Sequence, residues 1–345
     1  MIQYGRQCIE QDDIDAVTEV LRSDFLTQGP KVREFEEAFS TYTDSRFSVA
    51  VNNGTSALLA ACTAAGISQS EDPDYVVTTP LTFAATANAA DIAGGSVRFQ
   101  DIDGTWNMDT RLATAPQWTR VVIPVDFAGR PADIGAIGQS AAQLWGHPLI
   151  IEDACHALGA AYKGRHVGAT ADMTCYSFHP VKAITTGEGG MVTTNSEVYY
   201  ERLKTFRDHG RVNGMVEEPG LNLRMSDIQA ALGISQLRKL PRFLDRRREI
   251  ALRYCEAFGI PFVEGHAYHL FVMLFEDRDA VRARLLEKGI QTQVHYQSLT
   301  RHPYYRGQSC PRAEHFSDHC LSLPIYPLLT DAEVRYVIEN VKGVM

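Results

Sequence analysis

The sequence predicts an α/β fold: parallel strands covered by helices on both faces, then a smaller α+β unit. Three observations lead there. Short continuous apolar runs at Phe47–Val51, Tyr75–Thr78, 121–125 and Leu149–Asp153 alternate with helical segments, the signature of strands buried on both sides. After about Gly210 the alternation gives way to long helical stretches and then to mixed short elements. The 345 residues are 45% apolar and 22% charged. That is enough for two domains, and it excludes disordered, collagenous and coiled-coil classes.

Taken in order, residues 12–22 predict a helix with Ile14, Val17, Val20 and Leu21 on one face. Leu26-Thr-Gln-Gly-Pro30 ends that segment, and residues 32–42 are helical again. Strand Phe47–Val51 leads through Asn52-Asn-Gly-Thr-Ser56 into an Ala-rich helix at 57–65. Beyond Gly210, helices are expected at 226–237 and 242–258, with Arg246-Arg-Arg248 as a solvated face. A strand at 268–275, a helix at 279–288, a strand at 291–296 and a last helix at 331–341 complete the pattern. The expected division is a large domain at 1–234 and a small α+β domain at 235–345.

A net charge of −9 argues against a nucleic-acid surface, which needs a dense basic patch. Local amides and a few arginines could still hold an anionic ligand. Seven scattered cysteines without a Cys-x-x-Cys pair read as reduced thiols, with no structural zinc and no metal site. The first residues lack a signal-peptide apolar region, and no apolar run approaches the roughly 20 residues that span a bilayer. A cytoplasmic protein without membrane or nucleic-acid partners is expected.

The segment Ser177-Phe-His-Pro-Val-Lys182-Ala-Ile-Thr-Thr-Gly-Glu-Gly-Gly190 carries the chemistry. A lone loop lysine is by default a solvated amine. Here Pro180 stiffens the backbone before Lys182, and the Gly-rich run permits close approach of another chain segment. Upstream, Leu149–Asp153 ends an apolar strand on a carboxylate, and strand C-terminal ends are where ligands bind in open α/β sheets. That carboxylate could pair with a pyridinium nitrogen, while the lysine could condense with an aldehyde. Asn52-Asn-Gly-Thr-Ser56 opens a helix directly after a strand. Alone it reads as a turn with an N-cap, but a helix N-terminus also suits a phosphate. Together the three point to pyridoxal phosphate.

The chain resembles the DegT/StrS-type sugar aminotransferases, a family of fold-type I pyridoxal phosphate enzymes, through nearly its whole length. The residues that carry the resemblance include Tyr4-Gly-Arg, Leu26-Thr-Gln-Gly-Pro30, Asn53-Gly-Thr-Ser-Ala-Leu58, Thr82-Phe-Ala-Ala-Thr-Ala-Asn88 and Glu152-Asp-Ala-Cys-His-Ala-Leu-Gly159. Further on come Ser177-Phe-His-Pro-Val-Lys182, Asn222-Leu-Arg-Met-Ser-Asp-Ile-Gln229, Val294-His-Tyr296 and Leu323-Pro-Ile-Tyr-Pro327. The surroundings of Leu26, Lys182 and His295 are most similar to the branch acting on UDP-4-keto-6-deoxy-hexosamines in pseudaminic acid biosynthesis. The resemblance implies a large domain with a mixed, mostly parallel sheet flanked by helices, plus a smaller C-terminal domain.

It also implies roles. Lys182 would anchor the cofactor and carry protons, and Asp153 would keep the pyridinium protonated. His156 would touch the ring or its 3′-oxygen, unless it is a satisfied core histidine. Gly54, Thr55, Ser56 and Ser177 would bind the phosphate, although Ser177 could simply close a turn. Phe83 would stack on the ring or merely pack. Asn222 would reach a phosphate across the interface of a homodimer with shared sites. Asp227 and Gln229 read as capping and packing residues. Candidates for the substrate are Tyr4, Asp24, Phe25, Leu26, Thr27, Arg224, His295, Tyr296, Arg301 and His302. For His295 to His302 the plain reading is a strand end followed by a polar surface loop. Arg301, however, offers a planar fork for phosphate oxygens.

Leu221 and Leu223 stand where relatives commonly carry aromatic residues, and the stretch from Gly259 to Tyr268 is short for the family. Both put the sugar in doubt and leave the cofactor residues untouched. Retention of Lys182, which one branch replaces by histidine for dehydration, implies transamination. The expected function is transfer of an amino group from glutamate to C4 of a nucleotide-linked 4-ketosugar, with pyridoxamine phosphate as the cofactor's aminated form. The rivals are the same chemistry on a UDP-4-keto-pentose or GDP-4-keto-6-deoxymannose, and a non-catalytic cofactor-binding regulator. An appended DNA-binding module, which would favour that regulator, is not expected from these 345 residues.

Overall fold

The computed structural model describes residues 1–68, 74–113 and 115–345. Its centre is a seven-stranded sheet: β1 (Phe47–Val51), β2 (Tyr75–Thr78), β3 (Ser96–Phe99), β4 (Thr119–Ile123), β5 (Leu149–Asp153), β6 (Met173–Ser177) and β7 (Gly190–Thr194). The spatial order is β1-β7-β6-β5-β4-β2-β3. Neighbours are parallel except at β7, which runs antiparallel to both β1 and β6. Helices α1 (Gln11–Leu21), α2 (Pro30–Thr43), α3 (Gly54–Ala64), α4 (Ala85–Ile92), α5 (Ile134–Ala141) and α6 (Glu197–Arg207) belong to this part of the chain. The expected mixed, mostly parallel α/β sheet is present.

The sheet positions the site through register. Gly190 opposes both Val51 and Ser177, so the ends of β1 and β6 meet the start of β7 at one edge. Helix α3 leaves β1 there, and its Ala57, Ala60, Ala61 and Ala64 are buried in the core. Small side chains let this helix lie close to the strands.

Helix α1 corrects one expectation. Ile14 and Leu21 are more than half exposed, and the buried positions are Asp13 and Val20. Asp13 is held by Lys239 Nζ at 2.8 Å and by Gln236 Nε2 at 2.8 Å. A buried charge pair therefore chose the packed face, against the apolar pattern.

The two helices expected at 226–237 and 242–258 form one helix of 32 residues, α7 (Asp227–Phe258), with Pro241 inside. A mid-helix proline costs about 3 kcal/mol. Leu237, Leu240, Phe243, Leu244, Ile250 and Tyr254 are all buried along α7, at about 1.5–3 kcal/mol each, so packing outweighs the break. The helix runs through residues 234 and 235, the boundary expected between the domains. Ser226 and Gln229 form a capping box at its start, and Gly259 ends it at φ 66°. Asp227 accepts from the amides of Gly29 and Lys31 and so caps α2.

Beyond α7, β8 (Phe271–Leu274) pairs antiparallel with β9 (Cys320–Leu323). Helices α8 (Arg278–Glu287), α9 (Pro311–His319) and α10 (Asp331–Lys342) complete this part. The strand expected at 291–296 is reduced to bridges from Ile290 to Ile2 and from Gln293 to Ser322. After Gln293 the backbone leaves the sheet edge toward the central cleft. Arg246 to Arg248 are not a solvated face. Arg247 is fully buried and donates to the carbonyls of Tyr268, His269 and Ile325. Arg246 pairs with Asp331, and Arg248 donates to Gly159 O. Among the described residues, no helix is long and apolar enough to cross a membrane.

Candidate active site

One cleft of about 630 Å³ opens where β1, β5 and β6 end. The start of α3 forms one wall. Asn53 caps the helix by accepting from Ser56 N at 2.8 Å. First-turn amides have no acceptor within their own helix, and Gly54 and Thr55 present this turn to the cleft beside Ser177. The closeness demands glycine. A Cβ on Gly54 would lie 2.8 Å from Ser177 Cβ, and one on Gly190 would lie 2.4 Å from Asn53 O. The result is a nest of amides and hydroxyls fit for a phosphate.

Asp153 ends β5 almost fully buried. Thr86 Oγ1 donates to its Oδ2 at 2.7 Å, and Cys155 N donates to its Oδ1 at 3.1 Å. These two bonds fix the carboxylate's direction. Thr86 was not singled out from the sequence, although the run from Thr82 to Asn88 was; its spacing from Asp153 is created only by α4 crossing the strand end. Thr82 supports Thr86 in turn, hydroxyl to hydroxyl at 2.7 Å.

Lys182 follows β6 on a tight turn closed by its own amide bonding to His179 O at 2.9 Å. Burial lowers its amine from the ordinary lysine value, while Cys155 and Asp153 act in the opposite sense. A lowered value favours the neutral, nucleophilic amine.

The far wall is aromatic. His156 Nδ1 accepts from Ala128 N at 3.3 Å, which leaves the proton on Nε2 to be donated to Tyr296 Oη at 3.0 Å. Burial, then the Lys182 charge, hold His156 well below the usual histidine value. Burial likewise keeps His269 low, with His156 next in effect, and brings His295 to about 3. All three are neutral imidazoles. His269 packs against His156 with centroids 4.4 Å apart, a neighbour that no local motif announced. Tyr4 reaches the cleft because the chain start is tied to the C-terminal part, with Ile2 N bonded to Gly289 O at 2.7 Å.

The structure thus gathers Tyr4, Gly54, Thr55, Phe83, Asp153, His156, Ser177, Lys182, His295 and Tyr296 around one space. Phe83 is 61% exposed, so it is not ordinary core packing. Sequence reasoning missed His179, Glu188 and Gln293, which also line the cleft.

Other expected residues stand elsewhere in this single chain. Ser56 is buried within α3, and its amide is taken by Asn53. Asp24, Phe25, Leu26 and Thr27 are exposed, as is Asn222. Arg224 pairs with Asp208. Arg301 is paired with Asp318 at 2.7 Å on the surface, and His302 is exposed beside it. These two lie at the end of a short 3-10 segment (Leu299–Arg301), and neither lines the cleft. The Arg301 fork is therefore already engaged. Segments 24–27 and 222–227 do meet each other, through the Thr27–Ser226 bridge and Asp227 N to Leu26 O at 3.0 Å.

Against known proteins, the chain is 38% identical over 373 residues to a UDP-4-amino-4,6-dideoxy-N-acetyl-beta-L-altrosamine transaminase of Campylobacter jejuni, covering 100% of this chain and 98% of that protein. Its fold matches Helicobacter pylori PseC, an aminotransferase involved in the biosynthesis of pseudoaminic acid, at TM-score 0.94 and 31% identity, over 99% of this chain and 98% of that one. A putative sugar aminotransferase of Streptococcus pneumoniae in its PLP-form matches at TM-score 0.94 and 29% identity, over 99% and 98% of the two chains, and its PMP-form matches as well. The pattern of one family matches residues 7–342. With the strand-end carboxylate, the turn lysine and the helix cradle in place, the chain belongs to the DegT/DnrJ/EryC1/StrS aminotransferase family.

Proposed function

We propose that this protein moves an amino group from glutamate to the C4 carbonyl of a UDP-linked 4-keto-6-deoxy-hexosamine, in a pathway to pseudaminic acid. The observation that carries the reading is the meeting of Lys182, Asp153 and the α3 N-terminus around one cleft. Its sugar rests on likeness to the altrosamine transaminase. The same chemistry on another nucleotide-ketosugar is the alternative.

The residues present fit pyridoxal phosphate: a cradle that a Cβ would fill, a carboxylate fixed by two donors, and a lysine with a lowered amine. When bound, that group supplies the aldehyde that takes up nitrogen and a conjugated ring that draws electrons from the substrate carbon. Gly54, Thr55 and Ser177 would hold its phosphate, and Asp153 Oδ2 its ring nitrogen. Lys182 Nζ would anchor it, take the proton from Cα of glutamate, and later deliver one to C4 of the sugar. Phe83 would cover one ring face. His156, locked as the Nε2–H tautomer, would orient Tyr296 Oη at the cleft wall.

The exposed residues 24–27, Leu221 and Asn222 fit a homodimer in which each subunit completes its partner's site. Phe25, Leu26 and Leu221 are all more than 40% exposed there, apolar area that a second copy would cover. Incubation with glutamate and a panel of UDP-, dTDP- and GDP-4-ketosugars, read by product mass, tests the substrate. Amination of a UDP-hexosamine ketone is expected; amination only of a GDP- or pentose-linked ketone would overturn the sugar.

A further inference from the structure

A second cavity, of about 230 Å³, lies behind the Phe127–Gly129 turn, outside the catalytic cleft. An enclosed site of roughly 150 Å³ already holds benzene, so one aromatic ring with a small substituent fits here. Its walls come from both halves of the chain: Trp106 and Phe127 on one side, Ile260, Val263, Tyr268 and Phe271 on the other. The Thr105 and Tyr268 hydroxyls in this lining are already bonded, to Asp103 and Val263, and two further polar side chains face it. Arg130 has no ion-pair partner among the described residues. His266 Nδ1 accepts from Tyr268 N at 2.7 Å, so its proton sits on Nε2, which bonds to no protein atom among the described residues. Burial brings His266 to about 3, and it offers this donor as a neutral ring. Among the described residues, no carboxylate lines the cavity.

Aromatic walls, a free guanidinium and a free imidazole N–H select a flat apolar body with one anionic end. We propose that this cavity is a binding site for a small aromatic carboxylate, distinct from the catalytic cleft. Its occupant would bridge the two halves of the chain. It would also brace the turn at Ala128, whose amide holds His156 and whose carbonyl accepts from Leu270 N at 3.1 Å.

The test is calorimetric titration of the holoenzyme with benzoate, with benzamide as the uncharged match and acetate as the ringless one. Benzoate should saturate one site per chain, and both analogues should bind more weakly. Arg130→Gln should weaken benzoate roughly ten- to a hundredfold, the worth of a charge-assisted bond. Gly104→Phe should abolish binding: Gly104 lines the cavity, a Cβ added there would meet nothing within 4 Å, and the new ring would fill the space. No saturation at about 10 mM benzoate would overturn the proposal, leaving a cavity that holds only water. Equal binding of benzamide would overturn the role of Arg130. Benzoate displaced by glutamate and indifferent to both substitutions would place it in the catalytic cleft and overturn the site.

Discussion

The strand-end cleft and the surface formed by 24–27 and 222–224 came from the same kind of motif, yet they differ as structures. In the cleft, residues from β5, β6, α3 and α4 converge, with Thr86 2.7 Å from Asp153 and His156 3.0 Å from Tyr296. Segment 24–27 meets Ser226 and Asp227, and 222–224 lies against the end of β1 with Arg224 bridged to Val51, but none of these residues lines the cleft. Single-chain geometry gathers the residues that fit the cofactor and sets 24–27 and 222–224 apart from them.

The largest effect belongs to Lys182→Ala. Turnover should fall by several orders of magnitude. Thermal stability should be nearly unchanged, because the Lys182 amine is a desolvated group whose removal relieves a burial cost. Borohydride reduction of the yellow holoenzyme should leave the cofactor adduct on Lys182; mass mapping to Lys163 or Lys204 would remove it from its role. Asp153→Asn should come next, depressing kcat by orders of magnitude while glutamate still enters. Steady-state kinetics that match the unsubstituted enzyme would show that the strand-end carboxylate has no part in the chemistry.

Subunit mixing addresses the division itself. A heterodimer of Lys182→Ala and Asn222→Ala chains should recover up to half of the parent activity, since one of its two sites then has both residues. Absence of recovery in a verified heterodimer would place Asn222 in its own subunit's site or make it dispensable.

A moderate effect is expected from pH. His156, His266, His269 and His295 are buried with values below the unfolded 6.5. The unfolded chain then binds more protons below pH 6.5, so stability is full above 6.5 and is lost as pH falls. For His266 and His295, whose window runs from 6.5 to about 3, the loss is roughly 1.4 kcal/mol each per pH unit. Urea unfolding at about pH 7.5 and 5.5 measures the net change, in which buried Glu152, raised to about 7, acts in the opposite sense and offsets part of the histidine loss; equal midpoints would contradict the burial argument. The smallest effect is Arg301→Ala. An exposed ion pair contributes about 0.2–1 kcal/mol, and the glutamate half-reaction should be unchanged. A large rise in KM for the nucleotide-sugar would mean that Arg301 leaves Asp318 to bind substrate.

The sequence by itself determined the strand–helix alternation, the carboxylate ending β5, the lysine after β6 and the cap at Asn53, because each depends on neighbours within a few residues. Asp227 as a capping residue was legible too, but that it caps α2 rather than its own helix was not. Only the tertiary structure decided what distant packing controls. Lys239 buried Asp13 and turned Ile14 and Leu21 outward. The core along α7 carried a helix through Pro241. Arg247 was drawn inside because three backbone carbonyls converge there. Thr86 and His269 entered the site for the same reason: side chains far apart in sequence become partners only where the sheet edge and the crossing segments bring them within about 3–4 Å, the range over which hydrogen bonds and packing act.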